Sequence, residues 1–73
     1  MIKIDDLLSL LKKGWVAMDE NQEWFWFENK PRTKSSILGG YWQSNGCEIV
    51  SNLFDIAPAD DWKKSLIRVK GND

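Results

Sequence analysis

Trp24, Trp26 and Trp42, with Lys30, Arg32 and Lys34 lying between them, are the residues whose types and spacing could do chemistry. A tryptophan face stacks on a nucleobase or sugar, at about 1–3 kcal/mol per base. Arginine offers a planar fork for phosphate and lysine a point charge. The set is therefore a candidate site for a nucleotide-like ligand. Arg32 is its central cation, because its fork makes two charge-assisted hydrogen bonds to one phosphate. The same three rings also suit a protein interface, where Trp and Tyr bury large area at low entropic cost. Ordinary core packing is the plain alternative for every ring, and it is favoured for Trp15 and Trp62. Residues 29–36 likewise read as a solvated loop or as an anion-contacting one.

Covalent and metal chemistry is poorly supplied. The chain has no His and one Cys, Cys47. It lacks a triad base, a thiolate–imidazole pair and the donors of a structural zinc site. Gly39-Gly40 lacks the spacing of a phosphate-binding glycine motif. The acid pairs Asp5-Asp6, Asp19-Glu20 and Asp60-Asp61 read as a helix start, a turn and a cap. No enzyme, cofactor or metal is expected.

The elements that must position these residues follow from the pattern. Glu23-Trp24-Phe25-Trp26-Phe27-Glu28 is an aromatic run too short for a helix and typical of a strand. Alternation sends Trp24 and Trp26 to one face and Phe25 and Phe27 to the other. A strand apolar on both faces belongs to a sheet covered on both sides. One cover is the chain's own helix. The other is a second copy, a partner or a ligand. We expect Phe25 and Phe27 to face the helix with Val16 and Met18, leaving Trp24 and Trp26 outward; the reverse is nearly as consistent.

Ile4, Leu7, Leu8 and Leu11 form one stripe of an amphipathic helix, and Leu10 widens it. Acids at one end, lysines at the other and Gly14 as a stop predict a helix over about 5–13. Residues 15–18 make a first strand, joined to the aromatic one through the polar connection 19–22. Pro31 marks a strand end or edge. Gly39-Gly40 reads as a turn, Tyr41-Trp42-Gln43 as a strand, Ser44-Asn45-Gly46 as a turn and residues 47–50 as a strand. Ser51-Asn52 opens a bend, with Leu53, Phe54 and Ile56 at the core edge. Pro58 suits a first helical position, with Asp60 or Asp61 as a cap. Residues 65–69 close the fold, with Ile67 and Val69 on one face. Residues 70–73 are a frayed tail. The sum is one α+β domain over 1–73, with an N-terminal helix packed on a twisted antiparallel sheet of about four or five strands.

Size and charge bound the partners. A chain of 73 residues buries only about 60% of its unfolded surface, so it needs oligomerisation or unusually good aromatic packing. Its five Trp serve either, and a homo-oligomer is expected. A net charge of −1 argues against broad nucleic-acid binding. No segment is long and apolar enough for a membrane, and no signal-peptide pattern is present.

Gly14-Trp15-Val16-Ala17-Met18-Asp19, the aromatic run continued through Asn29-Lys30-Pro31, Phe54-Asp55-Ile56-Ala57-Pro58 and Asp61-Trp62-Lys63-Lys64-Ser65-Leu66 together resemble a group of small phage and prophage proteins. The resemblance covers most of the chain. Its most specific parts are the Lys30-Pro31 and Asp61-Trp62 segments. A looser likeness is to phage anti-defence sponges that sequester the nucleotide signals of Thoeris-type bacterial immunity. These also begin with a short helix near Lys-Lys-Gly, pass into aromatic strands and carry a late Asp-Trp. That likeness implies an oligomer with ligand pockets between protomers; the lone unpaired Cys47, with no membrane or signal segment, gives the host bacterial cytoplasm as the expected location. Two functions are expected. One is a non-enzymatic phage protein sequestering a nucleotide-like immune signal. The other is a protein-interaction module, a host-factor inhibitor or small virion or assembly protein, using an exposed Trp patch.

Overall fold

The structure is a computed structural model and describes residues 1–50 and 54–71, with backbone alone at 47–49. The bend expected at Ser51-Asn52, Leu53 and the end of the tail lie outside these residues. The elements are α1 (Ile4–Leu7), a 3-10 turn (Leu8–Leu10), β1 (Gly14–Met18), β2 (Trp24–Phe27), β3 (Arg32–Ser36), β4 (Gly39–Gln43), β5 (Cys47–Ile49), a second 3-10 turn (Trp62–Lys64) and β6 (Ile67–Val69).

A short N-terminal helix followed by antiparallel strands makes this an α+β fold. The strands do not form the single sheet expected. They divide into one sheet ordered β5-β2-β1-β6 and a separate β3–β4 hairpin. The reason lies in β3. Its sequence, Arg-Thr-Lys-Ser-Ser, is exposed throughout and has no apolar face to bury in a layered sheet. Pro31, just before it, cannot donate to a ladder.

The helix is shorter than expected. Ile4, Leu7, Leu8 and Leu11 do pack on the core. However, the chain is already extended at Leu11 (φ −100°, ψ 150°), and Leu10 is 69% exposed rather than part of the apolar stripe. Gly14 is not a helix stop. It opens β1, where a Cβ would strike the Phe27 carbonyl and the Trp26 ring. Extension after Leu10 also brings the Lys12 carbonyl to the Trp26 indole N–H, 3.0 Å away.

Register decides the two faces of the sheet. Met18 pairs with Trp24 and Val16 with Trp26, and directly opposite residues share a face. Trp24 and Trp26 therefore lie on the helix side, and Phe25 and Phe27 on the other. This reverses the expected assignment. The register is set by the connection 19–23, closed by bonds from Asp19 N–H to the Glu23 carbonyl and from Gln22 N–H to the Asp19 carbonyl, with Gln22 at φ 71°.

The core gathers Leu7, Val16, Met18, Trp24, Val50, Ile56 and Val69. On the opposite face Ala17 and Phe27 are buried, while Trp15 and Phe25 remain half-exposed. Among the described residues Ser65 is the buried polar side chain. Its Oγ accepts from Met18 N–H at 2.8 Å and lies 2.6 Å from the Trp62 carbonyl. Asp61 caps the second 3-10 turn, accepting from Lys63 N–H at 3.0 Å. Pro58 precedes that turn and does not open it.

Candidate functional site

The structure does not bring the six candidate residues into one site. Trp24 is 1% exposed, and its indole N–H donates to the Ala57 carbonyl at 3.3 Å. Trp26 is half-buried against the core. Trp42 donates its indole N–H to the carbonyls of Met18 and Trp62, each at 3.1 Å, and its ring meets Trp62 edge-on at 6.3 Å. All three indole donors are thus used inside the fold. The expected outward Trp patch is absent because the register turned Trp24 and Trp26 inward.

The cations separate as well. Lys30 sits with Nζ 5.6 Å from the centre of the Trp15 ring. Arg68 lies 6.0 Å from the same ring, brought there because β6 pairs Arg68 with Trp15 across the sheet. Phe27 neighbours Trp15 in the β1–β2 register, and Phe25 follows at 6.3 Å. One half-exposed ring with two cations over it is a cation–π arrangement. Sequence reasoning missed Trp15 and Arg68. Strand alternation puts each on a face, but only the β1–β6 register puts them together.

Arg32 and Lys34 belong to a strand, not to a loop. They stand in solvent on the β3–β4 hairpin, two residues apart and so on the same face. Tyr41 and Gln43 of β4 lie opposite them. Thr33 and Ser35 share the other face with Gly40 and Trp42, which packs on Trp62. At Gly40 a Cβ would overlap the Trp62 ring, so glycine here lets the hairpin seat on the body.

The backbone of β4 is fixed on its side away from β3. Gly40 N–H donates to Glu20 Oε1 at 3.2 Å, Glu20 N–H donates to the Gly40 carbonyl at 3.1 Å, and Trp42 N–H donates to Asp19 Oδ1 at 2.8 Å. Burial pushes the Asp19 carboxyl above its ordinary pKa; the bond from Trp42 opposes this and the nearby Glu23 charge adds to it. Because Gly40 and Trp42 point away from β3, their partners Ser35 and Thr33 point their own N–H and C=O groups away from β4. The hairpin order ends at β3, so this edge carries no further strand among the described residues.

The hairpin ends on Ile37 and Leu38, 103% and 94% exposed. Ser36 holds the turn, with its Oγ accepting from Leu38 N–H and donating to the Gly39 carbonyl, each at 3.1 Å. Two adjacent aliphatic side chains are thus presented to solvent on a braced turn. Among the described residues no helix is long and apolar enough to cross a membrane. Comparison with protein-family models, curated proteins and solved structures returns no match for this chain.

Proposed function

We propose that the protein is a non-enzymatic interaction module that engages a partner protein through its β3–β4 hairpin. The carrying observation is the hairpin itself: a fully exposed strand whose edge carries no further strand among the described residues, ending on the exposed pair Ile37 and Leu38. Isolated exposed aliphatics are ordinary on protein surfaces. Two together at the tip of a braced arm are a contact feature, since they offer apolar area without loop ordering on binding. The resemblance to phage and prophage proteins fits a host-factor inhibitor or a small assembly protein acting in the bacterial cytoplasm. Compared with the interface expected from the sequence, the patch moves from the Trp rings to the hairpin.

The test is photo-crosslinking in bacteria producing the protein, with p-benzoylphenylalanine at position 37 and, as control, at exposed Asp60. A discrete adduct from position 37, absent from the control, supports the module. Equal yields at the two positions refute it.

A second reading rests on a separate observation, Trp15 between Lys30 and Arg68. Here the half-exposed ring stacks on a nucleotide-like signal and the cations hold its phosphate, as in an anti-defence sponge. A thermal-shift screen against cyclic nucleotides and ADP-ribose tests it. Stabilisation lost in both Lys30→Ala and Arg68→Ala would favour this reading over the hairpin one.

A further inference from the structure

The outer edge of β3 has the three properties of a strand-addition site. The main-chain groups that point away from β4 are those of Thr33 and Ser35, two residues apart, the spacing an added strand needs, and no further strand pairs with them among the described residues. The strand is paired with β4 along its whole length, which fixes its extended backbone. Its two charged side chains, Arg32 and Lys34, share one face and one sign of charge. Residues 29–47 contain Lys30, Arg32 and Lys34 and no Asp or Glu, in a chain whose net charge is −1. Lys30 turns to the Trp15 ring, so Arg32 and Lys34 are the charges that the hairpin's own residues carry, with the Asp19 and Glu20 carboxylates on the far side of β4.

We propose that the β3 edge binds an extended acidic peptide segment of the partner by strand addition. This rests on the reading of the hairpin as an interaction arm and names its partner's chemistry. Thr33 and Ser35 exchange main-chain hydrogen bonds with the added strand. Carboxylates at alternate positions of that strand lie beside Arg32 and Lys34, where opposite charges across a strand pair are favourable. A second copy of this chain is a poorer occupant. Antiparallel self-pairing that joins Thr33 to Ser35 sets Lys34 directly opposite Lys34, and like charges so placed are destabilising. The lysine that discourages edge-to-edge self-association thus selects for acid.

The probes are fluorescein-labelled peptides, read by anisotropy: one alternating Glu with Val, one alternating Lys with Val, and the Glu peptide with alternate amides N-methylated. The proteins are wild type, Ser35→Pro and the double variant Arg32→Glu/Lys34→Glu. Ser35→Pro removes an N–H that β4 does not use, so the hairpin ladder keeps its bonds. The Glu peptide is expected to bind wild type about tenfold or more tighter than the Lys peptide, with a preference inverted by the double variant. Ser35→Pro and N-methylation should each cost about tenfold, the effect of a lost charge-neutral or slightly stronger hydrogen bond. The N-methylated peptide leaves the protein untouched, so it decides the matter if Ser35→Pro disturbs the fold.

Glu-peptide binding that survives N-methylation is charge attraction alone and overturns strand addition. Absence of binding at millimolar peptide overturns it too. So does sedimentation showing a wild-type dimer lost in Ser35→Pro, which would assign the edge to a second copy. A crosslink from position 37 without Glu-peptide binding sinks this proposal while leaving the interaction arm standing.

Discussion

Replacing Ser65 with alanine should cost far more than the loss of one exposed hydroxyl. The Oγ of Ser65 is buried between β1 and the second 3-10 turn. It accepts from Met18 N–H, and its single proton is shared between the Trp62 carbonyl at 2.6 Å and the Met18 carbonyl at 3.2 Å. Alanine leaves the Met18 N–H buried without that acceptor, at about 1–3 kcal/mol. The lost donation to Trp62 adds about 0.5–1.5 kcal/mol, moderated because the Trp62 carbonyl keeps the Trp42 indole and Ser65 backbone N–H donors. The sum is about 1.5–4.5 kcal/mol. At about 0.05–0.15 kcal/mol per residue, a chain of 73 residues has about 4–11 kcal/mol in all. Ser65→Ala should therefore forfeit a large fraction of the fold's stability. Urea denaturation followed by tryptophan fluorescence measures it, with Ser65→Cys, a weaker donor and acceptor, expected to fall between. A loss below about 0.5 kcal/mol at unchanged slope would refute the claim that this hydroxyl is what satisfies Met18 N–H.

Gly40→Ala should destabilise by about 1–3 kcal/mol through overlap with the Trp62 ring; hydrogen exchange should show the β4 amides losing protection before those of β1, and uniform protection would contradict it. Ile37→Ser/Leu38→Ser should change stability by no more than about 0.5 kcal/mol, as both side chains are exposed; a larger loss by thermal melting would mean that the tip is packed. The Asp19 carboxyl, raised by burial, binds its proton more tightly folded than unfolded, so its favourable contribution is full below its ordinary pKa of 3.8 and is lost as pH climbs through the folded value. Asp19→Asn keeps an acceptor for Trp42 N–H without the charge, so its stability relative to wild type should rise with pH across that window and level off above it; a pH-independent difference in urea midpoints would count against the burial argument.

Composition and local pattern already contained much of the framework. The stripe Ile4, Leu7, Leu8 and Leu11 specified a helix packed on the core. The aromatic run specified β2, the pair Asp60-Asp61 a cap for the turn that follows, of which Asp61 is the one used, and the alternation of Ile67 and Val69 the last strand. These are consequences of side-chain period and backbone chemistry, which act over a few residues. What the same letters left open was decided across longer distances. Trp24 and Phe25 are equally apolar, so only the β1–β2 register, fixed by the connection 19–23, determined which of them entered the core. Trp15 and Arg68 are far apart in sequence and meet only because β1 and β6 are neighbours. Residues 32–36 have the composition of a loop. They become a strand because β4 is anchored by Asp19, Glu20 and Trp62, giving a polar segment a ladder to pair with. A strand stabilised by its partner's backbone leaves little trace in its own side chains.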